Sequence, residues 1–122
     1  MNFKIDTKEK FYVITAPSDL NAANMAEELS SILEEYGNLA PHNIILKLNE
    51  VEEVSPEFID VVVAKQAHAM EANVSFVLCE LKPKVKAAFM QSQAADSLNI
   101  VPTESEAWDI VQMEEIEREY LD

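Results

Sequence analysis

The sequence predicts an α/β domain: a mostly parallel sheet of about five strands with four helices and an N-terminal antiparallel hairpin. Three observations predict it. Short β-branched or continuously apolar runs alternate with longer stretches of helical periodicity. Prolines stand at two positions where helices begin. The 122 residues, 48% apolar, suit one domain able to bury a real core.

Phe3 to Asp6 and Phe11 to Thr15 flank the charged turn Thr7-Lys8-Glu9-Lys10, the pattern of a hairpin. Met25, Leu29, Ile32, Leu33 and Tyr36 then recur at three- and four-residue spacing, which predicts a helix over about 22–36. Gly37 follows, where a helix C-terminus commonly takes a left-handed residue. The run from Asn43 to Asn49 is too apolar to have a wet face for most of its length, which marks an interior parallel strand. Ser55, Pro56 and Glu57 form a helix start: a hydroxyl cap, a proline at the first helical position, and an acid favoured by the helix dipole. That helix runs to about Ala72, with Ile59, Val62, Val63, Gln66 and Met70 on one face and Phe58 and Val61 widening the apolar surface. A strand from Val74 to Cys79, a helix opened by Pro83, a short strand from Leu98 to Val101 and a last helix follow. Thr103 to Glu106 supplies the capping box of that helix. The acids after Met113 (Glu114, Glu115, Glu117, Glu119, Asp122) are expected to form a solvated helical end of a single domain spanning 1–122. Strands alternating with helices require crossover connections, hence a largely parallel sheet.

Nine Lys and Arg oppose 23 Asp and Glu, a net charge of −14. That field repels phosphate backbones and anionic lipid, so nucleic acid is not an expected partner. No apolar run approaches the ~20 residues of a membrane span, and the charged N-terminus does not resemble a signal peptide, which points to the cytoplasm. Cys79, the one cysteine, sits in an apolar run and reads as a buried thiol. His42 and His68 lack partners at ligand spacing, so no metal or cofactor is expected. A single glycine leaves no glycine-rich phosphate loop, and no nucleophile-base pattern marks an enzyme. Glu52 and Glu53 are adjacent, so they are expected to point apart into solvent. Lys82, Lys84 and Lys86 form a basic cluster on an acidic chain; a solvated first helical turn and an anion or partner contact both remain open.

Several segments, in order, resemble the STAS domain, the fold of bacterial anti-sigma factor antagonists and of the cytoplasmic tails of sulfate transporters. They are Asp19 to Met25 before the first helix, Asn43 to Val54 as a strand and turn, Glu80 to Phe89 around Pro83, and Leu98 to Val111 at the close. The resemblance implies a regulatory protein that docks an anti-sigma factor or kinase-like partner. In such antagonists a serine at the start of the second helix, within an Asp-Ser-Ser-Gly-like motif, is phosphorylated to switch partners.

This chain departs from that motif. Ser55 falls on the aspartate, Pro56 and Glu57 on the two hydroxyl positions, Phe58 on the glycine; Asn21 stands where the first loop usually carries aspartate. Three readings of the segment stay open. Ser55, Pro56 and Glu57 cap a helix and nothing more; or Asn21, Ser55, Pro56, Glu57 and Phe58 still dock a partner without kinase control; or Ser55 itself is phosphorylated in a shifted register. The sequence reading is therefore a non-catalytic protein-binding module acting in signalling and transcription regulation. The alternatives are a small-ligand or nucleotide site at the carboxyl ends of the strands, and a self-associating structural domain.

Overall fold

A computed structural model describes residues 3–18 and 22–121. The elements follow the expected order: β1 (Lys4–Thr7), β2 (Tyr12–Thr15), α1 (Ala22–Gly37), β3 (Ile44–Lys47), α2 (Pro56–Ala72), β4 (Phe76–Cys79), α3 (Pro83–Met90), β5 (Ile100–Val101) and α4 (Glu104–Leu121). One 3-10 turn, Ala95–Ser97, intervenes before β5. The five strands lie side by side in sequence order. β1 and β2 are antiparallel, and every later neighbour is parallel.

Strand alternation sorts the side chains into two layers. Ile14, Leu46 and Leu78 stand in register across three strands, and Tyr12, Ile44 and Phe76 form a second such row. Both rows meet Met25 and Leu29 of α1, Phe58 and Val62 of α2, and Val85 and Phe89 of α3 in one core. The intervening row, Val13, Ile45 and Val77, faces the other way and packs with Phe11, Cys79, Ala107 and Val111. The three crossover helices thus share one face of the sheet, and α4 covers the opposite face. β3 and β4 are buried on both sides, the reason that their sequences carry no polar alternation.

Three local expectations are corrected. Gly37 is the last residue of α1 and does not take positive φ; among the described residues the left-handed ones are His42, Asn73 and Glu80. A Cβ at Gly37 would meet only the end of Lys65, 2.7 Å away. On α2 the buried stripe is Phe58, Val62, Gln66 and Ala69, while Met70 is exposed, because the face toward the sheet is rotated from the one the periodicity suggested. The acidic end of α4 is not wholly solvated: Glu114 accepts a hydrogen bond from the Ser75 hydroxyl and Glu115 one from the Asn43 amide, at 2.6 Å for the latter.

Candidate partner-binding site

The first turn of α2 is built by local chemistry. Ser55 is extended (φ −87°, ψ 161°), and its Oγ accepts a hydrogen bond from Phe58 N at 3.1 Å. Pro56 occupies the first turn, where a missing N–H costs nothing, and Glu57 places negative charge at the positive end of the helix dipole. Pro56 and Glu57 are exposed and Ser55 is half-buried.

Phe58 lies elsewhere. It is 0% exposed and packs edge-on against Phe89, with ring centroids 6.3 Å apart. The expectation that Phe58 meets a partner is corrected: at the third position of the helix its side chain turns under the first turn into the core, where it fixes how α2 seats on the sheet. Asn21, with the rest of residues 19–21, lies outside the described residues.

The segments on either side of that loop do come together. Ser18, before α1, and Met25, on the first turn of α1, line a cleft of about 370 Å³ with Val51, Glu52, Glu53, Val54 and Ser55. The cleft lies at the carboxyl ends of the parallel strands, where open α/β sheets receive their ligands. Its acids are not free: Glu52 pairs with Lys82 and Glu53 with Lys84 at 3.6 Å. Sequence reasoning expected the two acids to be solvated and left the lysine cluster open between a solvated helical turn and an anion or partner contact, without joining the two groups. Their pairing depends on the α3 start lying beside the β3–α2 turn, a long-range juxtaposition that spacing along the chain does not carry. These pairs are largely exposed, so they shape surface charge more than stability.

On the other face, the N-terminus of α4 is anchored at the same end of the sheet. The Glu80 carboxylate accepts from Glu104 N at 2.9 Å, and Lys47 pairs with Glu104 at 3.1 Å. Trp108 Nε1 donates to the same Glu104 carboxylate at 2.9 Å. Burial pushes the Glu104 pKa up, but the hydrogen bonds from Lys47 and Trp108 outweigh it and hold the carboxyl below its ordinary value. The Lys47 amine, hydrogen-bonded to Glu104, is correspondingly held above its own.

Little nearby is equipped for covalent chemistry. Burial pushes the Cys79 thiol up to about 12, so at neutral pH it stays protonated and poorly nucleophilic. Among the described residues, no three His, Cys, Asp or Glu side chains converge as metal ligands. His42 Nδ1 lies 2.8 Å from the Gly37 carbonyl, away from Ser55. No described helix is long and apolar enough to cross a membrane.

The STAS domain family profile matches residues 2–107. The chain belongs to the STAS family. Its fold matches solved structures of that group. A Thermotoga maritima protein described as an anti-sigma factor antagonist superposes with a TM-score of 0.80 at 22% identity, covering 90% of this chain and 94% of that one. An anti-sigma-factor antagonist (STAS) domain protein from Planctomyces limnophilus gives 0.73 at 20% identity, covering 90% and 97%. A variant of RsbS from Moorella thermoacetica gives 0.73 at 15% identity, covering 92% and 96%. None of the curated protein sequences matches the chain. This STAS domain is thus similar in fold to anti-sigma factor antagonists. The α2 start belongs to the segment in which its sequence departs from the antagonist motif.

Proposed function

We propose that this STAS domain is a non-catalytic protein-interaction module, binding a regulatory partner through the 19–25 loop and the N-terminal turn of α2, and that it works without the usual serine switch. The observation that carries the reading is the cleft shared by Ser18, Met25 and residues 51–55, with Pro56 and Glu57 exposed directly after Ser55 in the chain. Two segments far apart in sequence meet there as one contact surface. Where antagonists carry hydroxyls, this chain carries a proline, which cannot accept phosphate, and a glutamate, which holds negative charge permanently. Ser55, the remaining hydroxyl, is engaged in the helix cap. The partner is an anti-sigma factor, kinase-like or other regulatory protein, and the setting is cytoplasmic control of transcription.

The test is affinity capture from the native cell, followed by titration of the purified partner against Glu57→Lys, Pro56→Ala and wild type. Glu57→Lys is expected to weaken binding about tenfold or more while lowering the thermal midpoint by only the few degrees, about 1 kcal/mol, that a reversed charge at the helix start costs, and Ser55 is expected to be unmodified by mass spectrometry. A partner that binds all three proteins equally would overturn the site, and stoichiometric phosphate on Ser55 would overturn the absence of a switch. Phe58→Asp is not a useful probe, because a carboxylate in the core unfolds the domain. The described residues lining the same cleft include two acids and no cation, and the nearby Lys82 and Lys84 are already paired with those acids, which leaves no positive group among them for a triphosphate. A thermal shift with nucleoside triphosphates would reveal one, since ligand at ~100 times its dissociation constant adds about 2.7 kcal/mol.

A further inference from the structure

Helix α4 meets the sheet with one face. Ala107 and Val111 are buried against it, and Glu114, Glu115 and Arg118 reach Asn43 and Ser75 at its far end. On the opposite face three large apolar side chains stand in solvent: Met113 at 58%, Ile116 at 51% and Tyr120 at 85% exposure. Their spacing of three and four residues aligns them in one row along the helix. Asp109 stands in the same row one turn earlier, and Glu117 and Glu119 flank it on either side, all exposed. Arg118, the one basic residue of α4, is turned toward the sheet. The row is thus framed by carboxylates, and it lies beyond residue 107, where the match to the family ends.

Charge decides the occupant. A second copy would set carboxylate against carboxylate on a chain of net charge −14, and an anionic lipid surface meets the same repulsion. A helix with an apolar stripe edged by Lys and Arg satisfies both parts of the surface, and flexible methionine adapts to its knobs. We propose that the outer face of α4 docks a basic amphipathic helix of a second protein, its apolar residues covering Met113, Ile116 and Tyr120 and its cations facing Asp109, Glu117 and Glu119. Since α2 packs on the other face of the sheet, this surface is separate from the one at Ser55 to Glu57, and either can fail without the other.

The full chain is titrated by fluorescence anisotropy against three labelled peptides of 18 residues. One is a Lys-rich helix with Leu in a single stripe, one has the same composition with the Leu positions scrambled, and one carries Glu in place of Lys. The striped basic peptide is expected to bind, the scrambled one about tenfold more weakly, and the acidic one not at all. Amide shifts in the protein should concentrate in 109–120. Met113→Gln with Ile116→Gln, both on an exposed helical face, should weaken binding about tenfold while the thermal midpoint holds, whereas Met70→Gln, at an exposed methionine on α2, should change nothing. Equal affinity for striped and scrambled peptides, an unaffected double variant, or shifts centred elsewhere would overturn the proposal. So would a dimer in sedimentation that the double variant disperses, since a second copy would then cover the row.

Discussion

Asn43 is fully buried and uses both ends of its amide. Its nitrogen donates to the Lys10 carbonyl and the Glu115 carboxylate, and its oxygen accepts from Ser75 N at 2.8 Å. Asn43→Ala strands a buried amide and a carbonyl at once, so a loss of about 2–3 kcal/mol is expected in urea unfolding; a loss below ~0.5 kcal/mol would mean that the network adds nothing. Gly37 gives the opposite sign. It lies in helical backbone with only the movable end of Lys65 nearby, so Gly37→Ala should stabilise by about 0.5–1 kcal/mol. A left-handed glycine would instead be destabilised by alanine. Single residues were the least legible part of the sequence. Glycine after an apolar repeat looks the same whether it bends the chain or ends a helix, and Phe58 beside Pro56 and Glu57 looks the same whether it faces a partner or Phe89. The decision rests on which way a helix is rotated against the sheet, and that is set by contacts distant in sequence.

At the scale of elements the sequence was far more explicit, because each periodicity change coincides with a real boundary. The Ser55-Pro56-Glu57 start of α2 and the Thr103 cap of α4 both form as their residue chemistry requires; Thr103 Oγ1 accepts from Glu106 N at 3.2 Å. What remained hidden was how α4 ends. Read alone, its acids suggest a solvated tail, yet hydrogen bonds from Asn43 and then from Arg118 hold the Glu115 carboxyl below its ordinary pKa despite burial. A carboxyl depressed in the folded state adds stability that is present above the unfolded value, about 4.3, and is lost as pH falls through the folded value. The wild type should therefore lose stability relative to Glu115→Gln between about pH 5 and 3, followed by urea midpoints at each pH. Curves that remain parallel across that window would show that Glu115 carries no such linkage. Glu104, held low by Lys47 and Trp108, should behave in the same sense at the other end of the helix.

The molecule as a whole carries 14 more negative than positive charges. Such an excess repels itself in the compact state, so at neutral pH salt should raise the thermal midpoint, by ~4 °C for each 1 kcal/mol relieved. A midpoint that falls with added salt would show that ion pairs such as Lys47–Glu104 outweigh the general repulsion. The sheet is arranged in the order in which its strands are made, and each strand pairs with the one before it. A chain leaving the ribosome can therefore extend its sheet strand by strand and cover one face with α1, α2 and α3 as they emerge. The other face has to wait. Phe11, Val13, Ile45 and Val77 stay bare until α4, which is made after all five strands, closes over them. Up to that moment the nascent protein presents an oily plane to its surroundings, and it is over the 18 residues of α4 that release from chaperones becomes safe.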